Sequence, residues 1–162
     1  MNRLMITLSG MVFLFTSCGE KKETEEKVTE QENTVAALNE KMCFLQVTEG
    51  NADTGKTIRD SIVFEIEPIA DGDSIKGIFN WKPYEKDTKL SDYKGVLKGN
   101  EGIAIATTRA EGMVYREEVL FTVNGDSLSV KFGEMVEDDN GIWRLKDKNN
   151  ASVQVLQKVD CK

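Results

Sequence analysis

Three cysteines, no histidine and 28 acidic side chains set the chemistry open to this 162-residue chain. Without an imidazole, Ser-His-Asp and Cys-His nucleophilic machinery and histidine-held metals are out of reach. Paired carboxylates could work as acid and base, as in glycoside hydrolysis. Glu85 with Asp87 and Glu117 with Glu118 stand close enough in sequence to suggest it. In so acidic a chain such pairs arise from composition alone, so we read them as solvated surface and assign no catalytic residue. Glu137-Asp138-Asp139-Asn140 offers hard oxygen ligands of the kind calcium takes, but without the alternating spacing of a calcium loop it reads as a hairpin turn. No glycine-rich phosphate loop or dinucleotide fingerprint is present, and neither a cofactor nor a metal is implied. Recognition chemistry is densest between Trp81 and Asp87. Trp81 and Tyr84 offer flat apolar faces, and Glu85, Lys86 and Asp87 would set the polarity around them. These five are the candidate ligand-binding residues, with an aromatic plug at one end of the fold as the structural alternative for Trp81. Arg109, Tyr115 and Arg116 are secondary candidates on the same reasoning.

The first cysteine has a distinctive setting. Arg3 gives a positive start, and Leu4 to Phe15 is apolar but too short to span a bilayer comfortably. Small residues Thr16-Ser17 follow, and then Cys18. Charge, short apolar run and small residues together form the layout of a removable export signal, predicted over residues 1–17. The junction resembles the lipobox of bacterial lipoproteins, in which the cysteine is acylated and becomes the first residue of the mature chain. Phe15 departs from that pattern, which prefers leucine there. The resemblance implies lipid on Cys18 and hence a membrane partner, each buried methylene contributing roughly 0.8 kcal/mol. Residues 18–40 are dominated by Glu, Lys and Thr, too poor in large apolar groups to offset ordering entropy, and are expected to form a disordered acidic tether. Glu20-Lys21-Lys22-Glu23 is similar to the charged signal that directs Bacteroidota lipoproteins to the cell surface; a plain solvated spacer accounts for it equally well.

The remaining cysteines, Cys43 and Cys161, stand at the two ends of the predicted folded domain, residues 41–162. An exported protein can keep a disulfide. Bridging them would close nearly the whole domain and contribute about 4–5 kcal/mol on the loop-entropy model. Two separate buried thiols are the alternative. Loss of residues 1–17 removes only Arg3 among the charges, making a chain of net charge −7 more acidic by one unit. That balance argues against nucleic acid as a partner.

Within the domain, polar and apolar residues alternate and turn residues interrupt the runs, a pattern for strands. Ile62, Phe64 and Ile66 share one face of a strand, as do Ile75, Gly77, Phe79 and Trp81 in the next, and Tyr115, Val119 and Phe121 later. Asn124-Gly125 is the strongest hairpin signal, with Leu128, Val130 and Phe132 on one face beyond it. Eight or nine strands joined by tight turns predict an all-β domain. The leading architecture is a single antiparallel up-and-down barrel of lipocalin-like size, and a β-sandwich is the runner-up. A bridge between first and last strands favours the barrel.

The lipoprotein start, the acidic tether, Met42-Cys43-Phe44, Asn80-Trp81-Lys82-Pro83-Tyr84-Glu85-Lys86-Asp87, Gly95-Val96-Leu97-Lys98-Gly99 and Val159-Asp160-Cys161 together resemble a group of small Bacteroidota lipoproteins. The layout is more loosely similar to the barrel of NlpE-type envelope lipoproteins, but the Cys-x-x-Cys motif of that family is missing. The resemblance implies an anchor in the outer membrane, facing periplasm or cell surface, and brings no activity with it. Two functions follow as expectations: an interaction or structural module that meets an envelope protein, or a binding protein for a small apolar or amphipathic ligand. Bulky inward residues, Phe64, Phe79, Trp81, Phe121 and Phe132 among them, favour the first.

Overall fold

The computed structural model describes residues 40–51, 55, 57–69 and 72–162. The export signal, Cys18 and the tether up to residue 39 lie outside the described residues.

Ten strands follow one another: β1 (Met42–Asn51), β2 (Thr57–Pro68), β3 (Ser74–Lys82), β4 (Leu90–Lys98), β5 (Glu101–Ala110), β6 (Met113–Asn124), β7 (Ser127–Phe132), β8 (Met135–Glu137), β9 (Ile142–Leu145) and β10 (Ser152–Val159). Strands β1 to β7 pair with their sequence neighbours, and β10 lies between β7 and β1. The result is a closed eight-stranded antiparallel barrel, as the alternation predicted, with β8 and β9 added outside it. That extra hairpin departs from the simple meander, because β9 runs parallel to the first half of β6, Arg116 opposite Ile142 and Glu117 opposite Trp143. The second half of β6, Phe121 to Asn124, pairs with β7. β8, of three residues, is too short to show a period of two, and the alternation in the sequence predicts no strand there.

Alternation sets the interior. On β4 and β5 burial alternates, with buried Ser91, Tyr93 and Leu97 facing Thr108, Ala106 and Gly102, and Gly95 half-buried between Tyr93 and Leu97. Small residues on this wall make room for rings from the other. The ring of Phe64 lies 5.4 Å from Phe79, 5.1 Å from Tyr93 and 4.8 Å from Phe121, tilted in each case as aromatic quadrupoles prefer. A Cβ on Gly102 would overlap the ring of Phe121, and one on Gly77 would strike the Glu65 carbonyl and the Tyr93 hydroxyl. That hydroxyl crosses Gly77 to donate to the Glu65 carbonyl at 2.6 Å. Burial, with Glu65 nearby, pushes the Tyr93 phenol well above its ordinary value and keeps it a donor.

The inward face of each strand changes character along the barrel axis. At one end stand Phe44, Ile66, Ile75, Leu97, Val123, Leu128 and Leu156, all buried. Neighbouring turns are knit together there: Leu97 N–H donates to the Asp73 carbonyl, Val123 to Asn100 and Lys158 to Asp126. Cys43 and Cys161 meet at this packed end at disulfide distance, with Cα atoms 5.3 Å apart. Toward the opposite, open end the same faces carry Gln46, Thr48, Asp60, Ser91, Thr108, Glu117 and Gln154. The chain enters the domain at the packed end, beside Lys41, whose carbonyl faces Cys161.

Candidate functional site

Three adjoining hollows occupy the open end. One, of about 270 Å³, is lined by Trp81 and Phe132 together with Gln46, Ile62 and Gln154. A second, about 150 Å³, opens where β6 and β7 part, between Phe79, Lys89, Glu117 and Lys131. The third and largest, about 680 Å³, is a shallow groove between β6 and the β8–β9 hairpin, lined by Met113, Val114, Tyr115, Met135 and Trp143 with Lys89 and Glu117 at one side.

Lys89 and Glu117 therefore sit where two hollows meet. Glu117 is 7 % exposed, yet its carboxylate is fully matched: Lys89 Nζ lies 2.7 Å from Oε1 and 2.8 Å from Oε2, and Thr108 donates to Oε1 at 2.6 Å. The chain of contacts continues from Thr108 to the Ser91 hydroxyl at 2.8 Å. The ammonium of Lys89 also stands 6.0 Å from the ring centres of both Phe79 and Tyr115, at the outer reach of a cation–π contact. Desolvation first, and then the charge of Glu117, raise the Tyr115 phenol above its ordinary value.

Of the residues singled out from sequence, Trp81 faces into the 270 Å³ hollow while remaining 42 % exposed. A two-way bridge with Lys89, Trp81 N–H to the Lys89 carbonyl at 2.9 Å and the reverse at 2.8 Å, ties off the loop between β3 and β4. Tyr84 is pinned in that loop by its backbone N–H, which donates to Asp60 Oδ1 at 2.6 Å. A hydrogen bond with Glu85 raises its phenol above the ordinary value. Glu85 adopts a left-handed backbone with φ 51°, and Glu85, Lys86 and Asp87 are exposed. These four loop residues line none of the three hollows. Arg109 pairs with Asp92 on the outer wall, Arg116 donates to the Asn140 carbonyl, and Tyr115 lines the groove.

Glu117 and Glu118 project to opposite faces of β6, which separates them as an acid–base pair. Glu118 lies outside the barrel under the β8–β9 hairpin, where Oε1 meets Lys148 at 3.0 Å and Arg144 at 3.3 Å. Its Oε2 is buried without a hydrogen-bond partner among the described residues. Asp138 builds the hairpin turn itself. Its Oδ1 accepts the N–H groups of Asn140 and Ile142, each at 2.9 Å, and Oδ2 meets Arg144 Nε at 2.6 Å.

The Arg144 hydrogen bond, then the backbone N–H groups of Ile142 and Asn140, hold the Asp138 carboxyl below its ordinary 3.8. A depressed pKa means that the contribution of Asp138 is complete above that ordinary value and is lost as pH falls through the lowered one. The hairpin should therefore loosen at the acid end of the carboxylate range. In a Trp81→Phe background, the fluorescence of Trp143 should change there, and Asp138→Asn should flatten that dependence. An unchanged acid profile in Asp138→Asn would assign the loosening to another group.

No protein-family model, curated protein or solved structure matches this chain. The open end has to be read from its own chemistry.

Proposed function

We propose that this chain is an outer-membrane lipoprotein, held through lipid on Cys18, whose barrel is a protein-interaction module of the cell envelope. Support for the anchor comes from the sequence around Cys18 and from its resemblance to small Bacteroidota lipoproteins. Facing, periplasmic or cell-surface, belongs to the same proposal.

The observation that carries the interaction reading is the filled interior. Phe44, Phe64, Ile66, Leu128 and Leu156 have no exposure, so side chains of the barrel itself fill its packed half. Apolar side chains are instead presented outside, with Met113 59 %, Val114 67 % and Trp143 38 % exposed along one groove. Exposed apolar side chains gathered in this way mark a surface that meets another molecule. A second reading, a site for a small apolar or amphipathic ligand, is favoured by the groove's size, which falls in the range of about 300–1,000 Å³ found for ligand sites.

Native mass spectrometry of the full chain, extracted from its own envelope in mild detergent, separates the two. Bare lipoprotein is the expected result, with a mass that includes acyl chains lost in Cys18→Ala. A stoichiometric small molecule would replace the interaction reading with the second one, and an unacylated chain would remove the anchor.

A further inference from the structure

The barrel wall is not sealed over its full height. β1 pairs with β2 along its whole length, from Met42 opposite Ile66 to Asn51 opposite Thr57. With β10 it pairs only at Cys43, Phe44 and Leu45, opposite Val159, Lys158 and Gln157. β10 is occupied on its other side by β7 from Ser152 to Gln157. Beyond Leu45 the two strands part toward the open end. Among the described residues, no strand pairs with Gln46–Asn51 of β1 or Ser152–Leu156 of β10 on the sides turned to each other. Along such an edge alternate residues direct both N–H and C=O outward, a template for another extended chain. One side-chain bond spans the gap, Gln46 Nε2 to Gln154 Oε1 at 3.2 Å. The other amide atom of Gln46, Oε1, is buried with no donor among the described residues.

Both faces of this seam are prepared for side chains. Outside, Val155 is 46 % and Val153 50 % exposed on β10, with Val47 half-buried across from them on β1. Inside lies the 270 Å³ hollow, where Ile62, Trp81 and Phe132 supply apolar walls. That volume suits one or two apolar side chains. Asp60 beside the hollow and the net charge of −7 favour a neutral or basic occupant, the charge of Glu49 on β1 being matched by Arg59.

We propose that the β1–β10 seam receives an extended polypeptide segment of a partner protein, which adds as a strand to the free edge of β1. Its alternate side chains enter the hollow lined by Trp81 or lie over the valines outside. The proposal rests on the interaction-module reading and specifies its mode. Unpaired backbone selects the occupant: an extended chain satisfies a row of N–H and C=O groups, and a helix, a lipid chain or a compact ligand does not.

The test selects random heptapeptides displayed on phage against the full chain in detergent. The selected peptides are then titrated as synthetic peptides and used in amide hydrogen exchange. Apolar residues should recur with a period of two in the peptides. Binding should protect amides within Gln46–Asn51 and Ser152–Leu156, leave Lys94→Ala unaffected, and weaken about tenfold or more with Val47→Lys/Val155→Lys. Exchange is read on the unaltered chain and decides the matter even where the lysines loosen the fold. Peptides that protect only β6 and β9, and are weakened by Val114→Ser, would overturn the seam and leave the interaction module standing. A chain that dimerises with its seam amides already protected would replace the partner by a second copy. Failure to select any binding peptide would overturn the seam alone; the module itself falls only if mass spectrometry finds a stoichiometric small molecule in its place.

Discussion

Replacing Cys43 and Cys161 with serine should lower stability by about 4 kcal/mol and the melting temperature by roughly 15 °C. The two cysteines are separated by 118 residues, so the link constrains almost the entire unfolded domain. On the loop-entropy model such a loop contributes about 4–5 kcal/mol. Its position matters as much as its length. Most neighbouring strands of the barrel exchange long ladders, whereas β1 and β10 share three residue pairs at the packed end. Cys43 is the first of those three, so the covalent link pins the shortest seam of the wall where it begins. Denaturant unfolding of the oxidised, reduced and doubly substituted chains measures the effect, and reduction alone leaves both side chains in place. A loss below about 1 kcal/mol in both treatments would show that the seam holds without the link.

The elements that made the barrel legible were those with long alternation. Phe64 announced an inward face with Ile62 and Ile66, Phe79 with Trp81 and Phe121 with Val119, each two residues away, and the rings of the three phenylalanines do meet inside. The placing of Cys43 and Cys161 at the domain ends implied that first and last strands adjoin, and they pair. Trp81, in register with Phe79, was readable as a residue at the barrel's end, where it lines a hollow. Tertiary assembly hid the rest. Ser91, Thr108 and Glu117 come from three strands, and Lys89 reaches them only because its backbone bridges Trp81 at the far end of a loop. Glu117 attracted notice for standing next to Glu118, which is the wrong neighbour, since strand geometry turns adjacent side chains to opposite faces. The parallel pairing of β9 with β6 has no local signal either. It depends on where β7 leaves β6, and the space left there is filled by a hairpin that Asp138, Arg144 and Lys148 lock down.

Lys89→Met should cost about 3 kcal/mol, because it leaves a carboxylate at the barrel mouth with its counter-ion gone. The side chain of Glu117 is 10 % exposed and that of Lys89 21 %, so solvent cannot replace the lost ammonium without opening the mouth. Thr108 remains as a donor to Oε1, but a single hydroxyl does not balance a buried charge. Glu117→Gln added to Lys89→Met removes that charge while keeping an acceptor for Thr108, and should restore most of the loss. Urea unfolding of wild type, both single variants and the double variant gives the coupling directly, provided the slope with denaturant stays constant. A double variant that loses the sum of the two single effects would show the pair to be uncoupled, and the short contacts between them to add nothing. Restoration would carry a further consequence. An ion pair that a neutral pair can replace at little cost contributes little net stability, so its place between the two hollows would have to be explained by what the open end binds rather than by what the fold requires.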